Sequence, residues 1–190
     1  LDAIKLKPTN YYGLSKHLFD LKVLEQLNGS NKKLSSKPIG LKFFNVYGPN
    51  ELHKGSMMSP IPKFLKDIQT NKEVNLFKSH NKLFQNGMQS RDFIYVKDCV
   101  KIVMWFLKNK HHSGIFNVGS GKSKNFLELA QAIFDNQDLK SKIHFIPTPL
   151  SIRNSYQYMT KANISKLREI GYKDKMTNLK DGINNYINNY

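Results

Sequence analysis

Tyr12-Gly13-Leu14-Ser15-Lys16 is the segment of the sequence best suited to do chemistry. A Tyr and a Lys at positions i and i+4 lie on one face of a helix, within reach of a common ligand. An ammonium beside a phenol favours the phenolate and draws the Tyr pKa down from about 10 toward neutrality. Such a phenol can take a proton from an alcohol while the carbon gives hydride to a nicotinamide. The spacing alone is weak evidence in a chain with nine Tyr and many Lys, because a surface contact between neighbouring helical side chains has the same pattern. A second candidate, Lys54 in His53-Lys54-Gly55-Ser56-Met57, reads in isolation as an ordinary loop lysine. Gly119-Ser120-Gly121-Lys122 lacks both the third Gly of a dinucleotide fingerprint and the spacing of a P-loop, so it reads as a turn. The isolated histidines His17, His111, His112 and His144 carry no metal-ligand spacing, and Cys99 reads as a small buried hydrophobe.

The elements that must hold these residues alternate between helix and strand. Leu14, Leu18, Leu21 and Leu24 predict a helix over Tyr12–Leu27. A strand over Ile39–Val46 ends at Tyr47-Gly48-Pro49, followed by a helix over Ile61–Gln69 and a strand over Val74–Phe77. A polar loop holds Ser79, His80, Asn81, Gln85, Asn86 and Gly87. Phe93–Val96 reads as extended, with Asp98 capping a helix that runs to about Leu107 and carries Trp105 on its core side. A strand over Ile115–Val118, a helix over Asn125–Phe134 and a strand over Ile143–Ile146 come next. Pro147 and Pro149 break the chain before helices near Lys161–Ile170 and Leu179–Ile187. The alternation predicts an α/β fold: a Rossmann-like parallel sheet covered by helices, with a small mixed α/β part for substrate.

Composition sets the outer limits. At 190 residues, with 39% hydrophobic and 12% aromatic side chains, the chain can bury one substantial core. One Cys excludes a disulfide framework, and no apolar run approaches a membrane span. The formal charge of +16 invites a nucleic-acid reading, yet only Arg91, Arg153 and Arg168 supply guanidinium forks and the lysines are scattered. Most of them read as solvated surface, with a few serving an anionic small molecule. The first residues show neither a starting Met nor a signal-peptide pattern, so the sequence is expected to begin within a longer protein.

Taken together, Tyr12-x-x-x-Lys16 and the later strand end Asn45-Val46-Tyr47-Gly48-Pro49 resemble the extended short-chain dehydrogenase/reductase family of nucleotide-sugar epimerases and dehydratases. Several longer segments are similar to the branch of that family acting on ADP-L-glycero-D-manno-heptose. They are Lys42 to Met57, Arg91 to Asp98, Gly114 to Gly121, and Tyr156-Gln157. The His53-Lys54-Gly55-Ser56-Met57 stretch is the discriminating piece, since related UDP-sugar epimerases do not place a Lys there.

The resemblance implies a role for each of these residues. Tyr12 and Lys54 would be two acid/base groups, one for each face of a sugar carbon, while Lys16 would hold the nicotinamide ribose and activate Tyr12. Val46 and Lys54 would touch the nicotinamide end of NADP. Asn45, Ser56, Lys63, the segment Phe77-Lys78-Ser79-His80, Arg91 and Tyr156 would line the ADP-heptose pocket. Arg91 suits a pyrophosphate as a charge-assisted fork, and Lys63 suits it as a point charge. The Phe77 to Arg91 loop is longer than usual for the family, and Lys78-Ser79-His80 departs from its acidic-Gly-Ser pattern. The implied protein is a cytoplasmic isomerase and homo-oligomer that needs neither nucleic acid nor membrane. This chain would be the C-terminal part of one NAD(P)-binding epimerase domain, inactive on its own without the Gly-rich turn. Another epimerase or dehydratase of the family, or a non-catalytic nucleotide-sugar-binding fragment, stays open as an alternative.

Overall fold

The computed structural model describes residues 6–8, 10–28 and 38–190. The chain runs as α1 (Tyr11–Asn28), β1 (Ile39–Phe43), β2 (Asn45–Tyr47), a 3-10 helix (Leu52–Met57), α2 (Pro60–Asn71) and β3 (Val74–Phe77). It continues as β4 (Ser90–Arg91), β5 (Phe93–Tyr95), α3 (Val96–Lys108), β6 (Gly114–Val118), β7 (Lys124–Asn125) and α4 (Phe126–Asn136). The last elements are β8 (Ile143–Ile146), α5 (Leu150–Arg153), α6 (Ser165–Glu169) and α7 (Leu179–Asn189). Three parallel pairs, β1 with β6, β2 with β5 and β3 with β8, are joined through helices, as parallel pairing requires. A two-residue antiparallel pair, β4 with β7, sits beside them.

The continuous strand expected over Ile39–Val46 is two strands. At Phe44 the backbone leaves β6, donating its last N–H to Val118 O at 2.9 Å, and Asn45 then donates to Asp92 O at 3.1 Å. One apolar run serves both partners, so its hydrophobicity carries no mark of the change. The helix expected near Lys161–Ile170 shortens to α6, and Trp105 is half-buried, stacked on His112 at 5.2 Å.

Asp98 does not cap α3 as expected; Tyr95 holds that position, without a side-chain cap. The buried Asp98 carboxylate instead accepts from the Thr177 N–H at 2.6 Å and the Thr177 hydroxyl at 3.0 Å, drawing the loop before α7 onto α3. At α4 the capping chemistry is complete: Asn125 accepts from Glu128 N at 2.8 Å and Glu128 reaches back to Asn125 N at 3.0 Å.

β5 divides the interior. Alternate side chains of a strand point to opposite faces. Phe93 and Tyr95 therefore join a core with Tyr47, Ile61, Ile68, Leu129, Ile133 and Ile183. Ile94 joins a second core with Ile102, Phe106, Phe116, Val118, Leu167 and Tyr172. Gly182 of α7 lies against the first core so closely that a Cβ there would meet Tyr47 Oη at 1.9 Å. Among the described residues, no helix is long and apolar enough to cross a membrane.

Candidate active site

The start of α1 is held by Asn10, whose side-chain oxygen accepts from the Gly13 N–H at 2.7 Å and whose carbonyl accepts from Leu14 N at 2.9 Å. One turn on, the Lys16 ammonium lies 5.5 Å from the centre of the Tyr12 ring, so the spacing does bring phenol and ammonium together. Both side chains are exposed, Tyr12 by 73%. Only Asp20 and Val23 of this helix are buried, and the Asp20 carboxylate is ion-paired with Lys42 of β1. The catalytic candidates therefore ride on the first turns of a helix whose buried residues lie at its middle.

Beyond β2 the chain turns at Gly48, where a Cβ would lie 2.3 Å from Val96 Cγ1 and φ is +156°, so a side chain cannot be accommodated. The buried Glu51 carboxylate organises the loop after this turn. It accepts from Gly48 N at 3.1 Å, Ser59 N at 2.8 Å and Ser59 Oγ at 2.8 Å, closing the chain around the 3-10 helix. Lys54 stands on that helix, its ammonium 3.6 Å from Glu51 and its side chain half in solvent. Lys63 of α2 donates to the Ser56 carbonyl at 2.6 Å, so these two pocket candidates meet. Asn45 and Val46 are half-buried on β2, with the Asn45 amide reaching Asp92 O at 3.3 Å and Thr160 Oγ1 at 3.4 Å.

The remaining candidates gather around Arg91. Its guanidinium lies over Tyr156, 5.3 Å from the ring centre, and 5.9 Å from that of Phe126. Burial lowers the Arg91 pKa against the opposing pull of Tyr156, and burial raises that of Tyr156 against the pull of Arg91. Phe77 meets the edge of Tyr156 at 6.4 Å between ring centres, and His80 meets it at 5.8 Å. Ser79 is half-buried and Lys78 exposed on the same wall. The chain from Ser79 to Asn86 curls around an open polar cavity of about 390 Å³.

Asp92, next to Arg91, is a fully buried carboxylate that sequence reasoning missed. It accepts from Ser120 N at 2.6 Å, Ser120 Oγ at 2.7 Å, Gly121 N at 3.0 Å and Ala162 N at 2.9 Å. The Gly119-Ser120-Gly121 segment is thus a turn, as expected, with two of its amides already committed to Asp92 and not aimed at a phosphate. A lone carboxylate ahead of an apolar strand was the available signal. Tyr158, two residues after Tyr156, was also missed.

The site residues thus form local groups: Tyr12 with Lys16, Lys54 with Glu51, Ser56 with Lys63, and Phe77, His80 and Arg91 with Tyr156. An exposed phenol and ammonium on one helix face fit the ribose hydroxyls of a nicotinamide cofactor in donor chemistry. Among the described residues, no group of His, Cys, Asp and Glu could hold a metal ion.

Residues 1–119 match the NAD dependent epimerase/dehydratase family. Proteins named ADP-L-glycero-D-manno-heptose-6-epimerase from Nitratidesulfovibrio vulgaris and Fusobacterium nucleatum are each 43% identical to it, over 98% of this chain and 56% of their own length. The chain therefore spans little more than half of these curated relatives. The crystal structure of the enzyme of that name from Helicobacter pylori superposes with a TM-score of 0.77 at 28% identity, covering 96% of this chain and 51% of that one. A UDP-glucose 4-epimerase from Thermus thermophilus in complex with NAD shares the fold, with a TM-score of 0.72 at 22% identity over 99% of this chain and 56% of its own. By family match, by identity and by fold, this chain belongs to the NAD dependent epimerase/dehydratase family.

Proposed function

We propose that this chain is the C-terminal part of an ADP-L-glycero-D-manno-heptose 6-epimerase, carrying both acid/base groups and the substrate wall. The observation that carries the reading is the 43% identity to enzymes of that name over 98% of this chain. NADP, when bound, supplies the group that takes hydride from C6 of the sugar and returns it. The rest is the work of this chain's residues. Tyr12, with Lys16 beside it, holds or takes the proton of the C6 oxygen on one side. When the C6 ketone has turned over, its oxygen must receive a proton from the other side to become a hydroxyl again, and Lys54 is the group for that step. Two proton-transfer groups are needed because one fixed side chain cannot follow the oxygen through both orientations. Glu51 keeps the base of the Lys54 helix in place.

Arg91 pairs with the pyrophosphate of the ADP moiety, and its fork geometry is fixed from behind by Tyr156 and Phe126. Phe77 and Tyr156 offer aromatic surface, and Asn45, Ser56, Lys63, Lys78, Ser79 and His80 supply polar contacts. Epimerised heptose of this kind serves lipopolysaccharide core synthesis, placing the enzyme in a cytoplasm, and a homo-oligomer is the assembly we propose.

The test is a substrate panel with the full-length protein. ADP-D-glycero-D-manno-heptose should be preferred over UDP- and GDP-linked sugars by at least about 100-fold in kcat/KM. A preference for a UDP-sugar would make this another epimerase of the same family and remove the heptose assignment. The cofactor released on denaturation distinguishes NADP from NAD.

A further inference from the structure

The wall formed by Lys78, Ser79 and His80 belongs to an otherwise exposed loop, and one hydroxyl gathers it. Tyr158 Oη accepts from the backbone N–H of His80 at 2.8 Å and of Asn81 at 3.0 Å, and lies 3.2 Å from Ser79 Oγ. It also lies 3.0 Å from His80 Nδ1. The other His80 nitrogen, Nε2, lies 3.2 Å from the Arg153 carbonyl, which can only accept. In the neutral imidazole Nε2 therefore carries the proton, and Nδ1 accepts from the Tyr158 O–H. One proton is then donated to His80 and the lone pairs serve two backbone amides, while the nearby Ser79 hydroxyl has the Asn81 carbonyl as its shorter acceptor at 2.7 Å. Phe84 packs on the Tyr158 ring at 4.6 Å between centres, closing the latch from the loop side.

The other end of Tyr158 is fastened beside Arg91. Its carbonyl accepts from Ser90 N at 2.8 Å, and Thr160 N donates to Ser90 O at 3.2 Å. Loop wall and guanidinium thus hang from the same two backbone segments, so the hydroxyl fixes the distance between them.

We propose that Tyr158 is a positioning residue, whose hydroxyl latches the 78–81 wall at the spacing from Arg91 that a nucleotide sugar requires. The proposal rests on the functional reading above, since it takes that wall as part of the substrate pocket.

Tyr158→Phe tests it in the full-length protein, because the phenyl ring keeps its packing on Phe84 and only the oxygen is lost. With ADP-heptose, KM should rise about tenfold while kcat stays within about twofold, the signature of lost ground-state positioning. Amide hydrogen exchange over 79–86 should accelerate while the unfolding midpoint holds. Unchanged KM, or a kcat loss at constant KM, overturns the proposal. If the wild-type protein does not turn over ADP-heptose at all, the functional reading has failed. The latch is then judged on exchange alone, with unchanged exchange in the variant overturning it.

Discussion

The two ends of the candidate site are built in opposite ways. At the α1 end, Tyr12 and Lys16 project from a helix that buries only Asp20 and Val23, and an ion pair to Lys42 ties that helix to β1. At the other end, Arg91 is half-buried, backed by two aromatic rings, and followed by Asp92, which gathers three backbone amides and a hydroxyl. β5 then continues into both cores. The exposed end can lose a functional group without disturbing the fold. At the packed end the loss of Asp92 would disturb it, because that carboxylate, next to Arg91, also holds three backbone amides in place.

That contrast can be broken most visibly at the exposed groups, Tyr12 on α1 and Lys54 on the 3-10 helix. Tyr12→Phe and Lys54→Met, made in the full-length protein, should each lower epimerase turnover by about 10²- to 10⁴-fold. The unfolding free energy of Tyr12→Phe should stay within about 0.5 kcal/mol of wild type, as for a surface substitution away from packing, whereas Lys54→Met also removes the ion-pair partner of Glu51. Normal turnover in both variants would contradict the two-base assignment, and a large stability loss in Tyr12→Phe would contradict the contrast. At the packed end, Asp92→Ala strands buried N–H groups and should cost about 3 kcal/mol or more, read by urea unfolding. A loss below about 1 kcal/mol would mean the carboxylate is less central than its bonds suggest.

Gly182→Ala drives a methyl into Tyr47 and should cost about 1–3 kcal/mol by overpacking, again without touching the exposed pair. The smallest signal is chemical. Burial pushes the Cys99 thiol up to about 12, so alkylation at pH 8 should be negligible in the native protein and rapid in urea. Cys99 belongs to the second core, so its labelling should remain slow in Tyr12→Phe and speed up in Asp92→Ala. Equal labelling in the two variants would erase the distinction between the ends.

Much of this was readable in the sequence where a local rule governs. The leucine spacing foretold α1, although Leu14 and Leu18 face solvent and Asp20 and Val23 are its buried residues. Asn125 and Glu128 announce the start of α4, and Pro60 opens α2. The Tyr12–Lys16 pairing comes from helical geometry alone. What escaped was set by distant partners. The break at Phe44 exists because β6 ends and β5 begins, which no feature of Ile39–Val46 encodes. Asp98 has the position of a capping residue, yet Thr177, far along the chain, claims its carboxylate. Asp92 and Glu51 likewise act through backbone amides brought to them by folding, and Tyr158 through a loop whose sequence gives no hint of its attachment.

The proposed chemistry is oxidation and re-reduction at one sugar carbon, with proton transfer confined to its oxygen. Running the full-length protein on ADP-D-glycero-D-manno-heptose in D₂O and following C6 by NMR tests this directly. The C6 epimer should form with its original hydrogen retained on carbon and no solvent deuterium there. Deuterium appearing at C6 with each conversion would show that carbon-bound hydrogen leaves as a proton, and the roles given to Tyr12 and Lys54 would be wrong.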